Sequence, residues 1–144
     1  MSPSDPPVFG RAPAGVVCRK RPAAYAVITD AAGRILVIRV NGRCWLPGGG
    51  SLPGEAAEAT VVREVREELG QRLCLLGRIG EAVQCFHAAS DGCWYEMAAV
   101  FFRGELDGEP VGPAEYEPGW LDAGGARETF FHASHAWAVA RAGP

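Results

Sequence analysis

Residues 48–70 of this chain read GGGSLPGEAAEATVVREVREELG. Three glycines open the segment, and Glu55–Leu69 then contains neither proline nor glycine. Val61 and Val65 lie four residues apart, and Leu69 follows after four more, which is the spacing of one face of a helix. The pattern predicts a glycine-rich loop followed by a helix over residues 55–69, with Gly70 as its left-handed C-terminal cap.

The same helix carries three acidic residues, Glu64, Glu67 and Glu68, within an arc of roughly 100°. Like charges three and four residues apart oppose helix formation by about 0.2 to 0.5 kcal/mol per pair, a cost that a solvated acidic surface tolerates. A divalent cation would also satisfy these carboxylates, because Mg²⁺ prefers oxygen ligands. Gly48 and Gly49 have no side chains, so their carbonyl groups could approach the same ion. The loop and the helix together predict a metal site.

At these positions the sequence resembles the signature of the Nudix hydrolases, G-x5-E-x7-R-E-U-x-E-E-x-G-U, in which U is a bulky aliphatic residue. The matching residues are Gly49, Glu55, Arg63, Glu64, Val65, Glu67, Glu68 and Gly70. Only Gln71 departs, since an aliphatic residue is usual there, and its place at the helix exit concerns packing more than chemistry. The segments 45–49 and 120–121 also resemble the family, which extends the resemblance loosely over residues 20–141.

The resemblance implies an α/β/α sandwich with a mixed β-sheet and hydrolysis of a nucleoside diphosphate linked to another group, with Mg²⁺ or Mn²⁺ as cofactor. The implied metal ligands are the Gly48 carbonyl and the carboxylates of Glu64, Glu67 and Glu68. Gly49, Glu55 and Arg63 are implied as supporting residues, with Arg63 also among the catalytic set. The implied general base is Glu64, and Glu115 or the less well aligned Glu117 are further candidates on a later loop.

The residues that follow the signature exclude some substrate subclasses but do not identify the substrate. ADP-ribose hydrolases of this family usually carry a proline where this chain has His87, and the marks of other subclasses are missing. We therefore expect a nucleoside triphosphate or another nucleoside diphosphate derivative, which would fit a role in removing damaged nucleotides. Trp94, Tyr95 and Trp120 could stack on a base, although aromatic residues in strands more often fill a core.

Two other functional classes remain open. A non-catalytic sensor of nucleotides or nucleotide sugars could have the same fold, but all three signature carboxylates are retained, which favours an enzyme. An interaction module could use the basic segment 11–21, but its four basic residues are too few for a nucleic-acid interface. The net charge of −3 also argues against nucleic-acid binding.

Length and composition predict one domain. The 144 residues suit a single folded unit over residues 17–144, preceded by a proline-rich segment, residues 1–16, that we expect to be a flexible arm. No apolar stretch is long enough for a membrane span or a secretion signal, which predicts a cytoplasmic protein with no membrane partner. Five unpaired cysteines indicate neither a disulfide framework nor a zinc ribbon. The oligomeric state stays open, with a homodimer as one alternative.

The rest of the chain predicts strands and one more helix. Residues 23–29 and 34–40 are expected to form a hairpin around Gly33, and Asn41-Gly42 a tight turn before a short strand over 43–46. Further predicted elements are paired strands over 73–86 and 93–104, a loop over 105–119, a short strand at 120–121 and a terminal helix over 127–141.

Overall fold

The computed structural model describes residues 5–122, 124 and 130–143. Within these residues the chain forms eight strands and two helices. The strands are β1 (Val8–Phe9), β2 (Arg19–Ile28), β3 (Ile35–Val40), β4 (Arg43–Trp45), β5 (Gly48–Gly50), β6 (Gln71–Ala88), β7 (Cys93–Pro110) and β8 (Gly119–Leu121), and the helices are α1 (Ala57–Leu69) and α2 (Ala133–Ala142).

The central sheet is mixed. Its strand order is β1-β6-β7-β2-β5, in which β1 runs parallel to β6 and β2 parallel to β7, while the other two pairs are antiparallel. A second, antiparallel sheet has the order β4-β3-β8. Helix α1 covers one face of β2 and helix α2 the other. The α/β/α sandwich expected from the sequence is therefore confirmed.

Strand β2 shows why both faces of the sheet are covered. Side chains alternate along a strand, so neighbouring residues enter different layers. Ala24 and Ala26 are fully buried in the layer that contains Val61 and Val65 of α1. Tyr25 lies on the opposite face, in the layer that contains residues of α2. A strand that is apolar on both faces is what a central position in a covered sheet requires.

Helix α1 begins two residues later than predicted and ends where predicted. Ala57 is its first residue because Glu55, the expected start, instead accepts a hydrogen bond from the Leu52 N–H at 3.0 Å. At the other end Gly70 has a φ of +66° and donates its N–H to the Arg66 carbonyl at 2.9 Å. This left-handed cap is the one that the sequence predicts.

Two predicted connections are wrong in part. The turn around Gly33 forms, with a φ of +80°, but β2 and β3 make only an isolated bridge between Thr29 and Ile35 and belong to different sheets. Strand β2 cannot pair with β3 along its length because β7 and β5 already occupy its two edges. The glycines 48–50, predicted as a loop, form strand β5 on one of those edges.

The boundaries near the C-terminus also differ from the prediction. Strand β7 continues to Pro110, so the predicted loop over 105–119 is shortened to residues 111–118. Helix α2 begins at Ala133 because Phe130 instead forms a bridge with Cys44. The predicted first turn of this helix, residues 127–129, lies outside the described residues.

Part of the proline-rich N-terminal segment joins the sheet. Val8 and Phe9 pair in parallel with Val83 and Gln84, and the Val83 N–H donates to the Pro7 carbonyl at 2.8 Å. The composition of the segment gave no sign of this pairing, and the sequence prediction of a flexible arm does not hold for these residues. No helix in the described part of the chain is long and apolar enough to span a membrane.

Candidate active site

A cavity of about 410 Å³ opens between strand β5, helix α1 and the β3–β4 hairpin. Its polar wall contains Arg21, Glu64, Glu68 and the three glycines of β5. Its less polar wall contains Tyr25, Ile38, Val40, Trp45, Leu46 and Tyr116. The cavity therefore joins an acidic side to a side rich in aromatic and aliphatic groups, a combination that suits a ligand with charged and planar parts.

The geometry of β5 turns its outer edge towards the acidic face of α1. Hydrogen bonds from the Ala26 N–H to the Pro47 carbonyl and from the Ser51 N–H to the Pro22 carbonyl, both 2.9 Å, tie β5 to β2. Because bonding residues alternate along an antiparallel pair, the polar groups of Gly48 and Gly50 face away from β2. The Gly48 N–H donates to Glu68 Oε1 at 2.9 Å, and the Gly50 carbonyl accepts from Arg63 at 3.1 Å.

The glycines of β5 approach β2 and the Glu64 carboxylate more closely than a residue with a side chain could. A Cβ at Gly48, where φ is +143°, would overlap the Ala24 carbonyl oxygen and lie 2.6 Å from the Tyr25 Cα. A Cβ at Gly49 would lie 2.8 Å from the Glu64 Cδ. The glycine run is therefore required by close packing against both a backbone and a carboxylate.

Arg63 connects the loop to the acidic helix face. Its Nε lies 2.9 Å from Glu55 Oε2, and its Nη1 lies 3.1 Å from Glu64 and 3.3 Å from Glu67. The hydrogen bond from Arg63 is the largest of the interactions that lower the pKa of Glu55 to about 2. The structure thus brings together Arg63, Glu55 and two of the signature carboxylates that the sequence singles out.

The two carboxylates that line the cavity resist ionisation. Burial raises the pKa of Glu68 to about 8, against the opposing effect of the Gly48 N–H. Burial also raises the pKa of Glu64, although Arg63 offsets part of this effect. A carboxylate in such surroundings binds a proton or a cation more readily than one in water.

Glu67 has a different environment from its neighbours. Its side chain is 54% exposed, points towards Arg63 and does not line the cavity. In the part of the chain that the structure describes, no group of three or more His, Cys, Asp or Glu side chains is arranged to hold a metal ion. The three predicted carboxylate ligands are thus adjacent on the helix, but Glu67 contacts Arg63 and only Glu64 and Glu68 line the cavity.

The loop over residues 111–118 places Glu115 beside the helix end. Backbone N–H groups of Val111, Glu115 and Tyr116 donate to the carbonyls of Gly70, Glu67 and Glu68 at 2.8, 3.3 and 2.8 Å. These bonds satisfy carbonyls that a helix end leaves without partners. Glu115 is close enough to contribute, after burial and Glu64, to the raised pKa of Glu68. Glu117 is exposed on the same loop.

The predicted stacking residues lie outside the cavity lining. Trp94 packs its ring against His87, Tyr95 packs against Phe86, and Trp120 lies beneath Arg34. Trp45 and Tyr116 line the cavity instead. In the sequence Trp45 belongs to the family pattern over residues 45–49, and its position three residues before the glycine segment was a signal. Nothing in the sequence pattern around Tyr116 distinguished it.

A buried histidine holds the chain that leads into β5. His135 of α2 is fully buried, and its Nδ1 accepts a hydrogen bond from the Leu46 N–H at 3.1 Å. Its ring lies 4.3 Å from that of Tyr25, which lines the cavity. Burial lowers the pKa of His135 well below its usual range, so the ring is neutral and can accept this bond. Helix α2 therefore supports the glycine strand from the opposite side of the sheet.

Comparisons with known proteins agree with this architecture. A search of curated protein sequences finds no significant match. Among solved structures, a MutT protein from Methanosarcina mazei Go1 is 22% identical, with a TM-score of 0.67 over 88% of this chain and 95% of that chain. A MutT NUDIX hydrolase from Burkholderia pseudomallei is 28% identical, with a TM-score of 0.61 over 85% of this chain and 98% of that chain. An Ap4A hydrolase from C. elegans is 17% identical, with a TM-score of 0.64 over 84% and 93%.

A sequence model of a protein family also matches most of the chain. The family model for the NUDIX domain matches residues 19–137, which include β2, the glycine strand, α1 and the first half of α2. The resemblance that rested on residues 49–70 is thereby confirmed, and it extends to the elements that surround the cavity. The chain belongs to the Nudix hydrolase family.

Proposed function

We propose that this protein hydrolyses a phosphoanhydride bond in a nucleoside triphosphate or another nucleoside diphosphate derivative, with Mg²⁺ or Mn²⁺ as cofactor. The observation that supports this best is the pair of partly buried carboxylates, Glu64 and Glu68, beside a glycine strand whose polar groups face them. The structural neighbours include an Ap4A hydrolase and an ADP-ribose pyrophosphatase, whose names describe substrates of the same general class.

The residues present fit a divalent cation. Carboxylate and carbonyl oxygens are the donors that Mg²⁺ and Mn²⁺ accept, and residues that carry such oxygens, Glu64, Glu68 and Gly48, line the cavity. Burial is the main cause of the raised pKa of Glu68, and a bound cation would favour the ionised form of this carboxylate. We propose Glu67 as a further ligand, which requires its carboxylate, now beside Arg63, to turn towards the cavity. A bound ion would polarise the anhydride and lower the pKa of an attacking water.

The remaining residues would orient the reactants. Glu64 is our first candidate for the general base, since its raised pKa brings it nearer to the operating pH and Arg63 fixes its carboxylate from one side. Glu115 is the alternative base on the loop over the helix end. Arg63 itself, held by Glu55, acts by positioning the loop and the helix relative to each other.

A substrate panel tests the proposal. We expect the purified protein to release phosphate, pyrophosphate or a nucleoside monophosphate from at least one nucleotide with Mg²⁺ or Mn²⁺, and to release none with EDTA. Mass spectrometry of the products identifies the bond that breaks. If nucleotides bind but no bond breaks with any cation, the chain is a sensor on the same fold, and the proposed activity is wrong.

The pH dependence of stability provides a second test that needs no substrate. Burial raises the pKa of Glu68 from its ordinary 4.5 to about 8, so the folded protein keeps a proton that the unfolded chain releases. This contribution to the free energy of unfolding is complete below about pH 4.5 and is lost as the pH rises through about 8. In EDTA, we therefore expect the Tm of the wild type to fall relative to that of Glu68→Gln between these pH values.

The difference in Tm between the two proteins isolates Glu68 from other titrating groups. Adding Mg²⁺ near pH 8 should raise the Tm of the wild type more than that of the variant, because the cation binds the ionised carboxylate. A difference that stays constant across this pH range, with or without Mg²⁺, would contradict the assignment of Glu68.

A further inference from the structure

Arg21 is the positively charged residue at this cavity that makes no ion pair, although its charge helps to lower the pKa of nearby Glu64. It makes no ion pair with any residue in the described part of the chain. Arg63, by contrast, already contacts Glu55, Glu64 and Glu67 and donates to the Gly50 carbonyl. Of the described residues that line the cavity, Arg21 alone carries a cationic side chain, and it is therefore available to an anionic ligand.

The position of Arg21 along the glycine strand is fixed by two contacts. Its guanidinium lies against Gly50, where an added Cβ would be 2.7 Å from Nε and 2.8 Å from Nη2. Its Cζ also lies 5.8 Å from the centre of the Tyr95 ring. At the other end of the strand, the Gly48 N–H contacts Glu68. Two residues of strand separate the acidic end from the basic end by about 7 Å, a span that a short chain of phosphates can bridge.

We propose that Arg21 binds the terminal phosphate of a nucleoside triphosphate and so makes the enzyme prefer substrates whose phosphate chain ends in a free phosphate. This inference rests on the proposed function. A terminal phosphate carries about two negative charges near neutral pH, whereas a diphosphate closed by a sugar or a second nucleoside has no such group. The planar guanidinium can donate two parallel hydrogen bonds to phosphate oxygens.

The alternative role for Arg21 is to stack on the base, as it stacks on Tyr95. The two roles differ in the feature of the substrate that Arg21 would distinguish. A phosphate contact distinguishes substrates by the end of the phosphate chain, whatever the base. A stacking contact distinguishes them by the base, whatever the end of the chain. The Gly50 contact favours the phosphate role, because it holds the guanidinium beside the same strand that contacts the two carboxylates.

The test uses base-matched pairs, UTP with UDP-glucose and ATP with ADP-ribose. For Arg21→Gln we expect kcat/KM for both triphosphates to fall by about 10- to 100-fold, mainly through KM, because one charge-assisted contact is lost. Values for the two sugar conjugates should stay within about twofold of the wild type. Arg21→Lys should recover part of the loss, since it keeps the charge without the planar fork.

The matched control is Lys20→Gln. Lys20 precedes Arg21 on the same strand but pairs with Glu96 at 2.6 Å and does not line the cavity, so its loss should leave all four substrates unchanged. An equal loss for triphosphates and sugar conjugates in Arg21→Gln, or a loss that follows the base, would overturn the proposal.

Equilibrium binding separates this proposal from the proposed function. Calorimetric titration of the same four compounds with Mg²⁺ should show weaker binding of the triphosphates alone to Arg21→Gln. If the wild type breaks no bond in these compounds or in the wider substrate panel, the proposed hydrolase activity is wrong, and the binding data still decide the role of Arg21. Unchanged affinity for the triphosphates in Arg21→Gln would refute that role.

Discussion

Replacement of Glu68 by glutamine is expected to lower kcat by about 100- to 1,000-fold or more while the protein stays folded. The carboxylate lines the cavity and accepts the Gly48 N–H at 2.9 Å. Glutamine has the same shape, and its side-chain oxygen can accept the same hydrogen bond. The substitution therefore removes the negative charge that would hold a cation and leaves the packing between helix and strand intact.

Single-turnover and steady-state rates over a Mg²⁺ titration would measure this effect. We expect the Mg²⁺ concentration needed for half-maximal activity to rise, because the lost charge weakens cation binding. Circular dichroism should remain that of the wild type, and in EDTA near pH 8 the Tm should not fall, since an unfavourable buried charge has been removed. A rate close to that of the wild type would show that Glu68 is not part of the reaction centre.

Glu58→Gln is the matched control for this experiment. Glu58 lies in the first turn of the same helix, is exposed and does not line the cavity. The substitution changes the formal charge of the protein and of the helix by the same amount as Glu68→Gln. We expect its kcat to remain within about twofold of the wild type, as is usual for surface substitutions away from special features. Equal losses in both variants would indicate a general effect of charge rather than a ligand role.

The elements that could be predicted from sequence are those whose causes are local. The end of α1 follows from Gly70, which adopts the left-handed conformation that the sequence predicts. The turn between β3 and β4 follows from Asn41 and Gly42, which both have positive φ, at 50° and 75°. In each case a few adjacent residues determine the backbone, so a pattern within one short segment is sufficient.

The wrong predictions concern partners rather than local conformation. Strand β2 was expected to pair with β3 because they are adjacent in sequence and joined by a good turn. It pairs instead with β7, which follows much later in the chain, and with the glycines of β5. Glycine weakens a strand when considered alone, and only the packing of Gly48 against Tyr25 shows why a strand of glycines is stable here.

In the candidate site, too, the features with local causes were predicted and those that depend on pairing between distant strands were missed. The acidic helix face and the glycines are close in sequence, and the structure brings both to one cavity. Arg21 was grouped by sequence with the basic residues before it, because only the pairing of β2 with β5 places it beside Gly50. The different environments of Glu67 and Glu68 have one local and one non-local cause. Arg63 contacts Glu67 from four residues earlier on the same helix, whereas the Gly48 N–H reaches Glu68 from strand β5.

Replacement of Gly48 by alanine is expected to reduce stability more than any other exchange in the glycine strand. The new methyl group would overlap the Ala24 carbonyl oxygen and approach the Tyr25 Cα to 2.6 Å, and a φ of +143° is unfavourable for alanine. Both contacts are with backbone atoms of the central strand, which cannot move as a flexible side chain can. Steric overlap and backbone strain together should cost about 3 kcal/mol or more.

Gly54→Ala separates the cost of backbone strain from the cost of steric overlap. Gly54 also has a positive φ, +75°, but an added Cβ would meet nothing within 4 Å. This control therefore carries the backbone cost alone, about 1 to 2 kcal/mol, and should lower the Tm by about 3 to 6 °C. Gly48→Ala should lower the Tm by about 10 °C or more in the same thermal melt. Equal losses in the two variants would mean that β5 does not pack against β2 as closely as the structure shows, and the position of Gly48 beside Glu68 would then have to be revised.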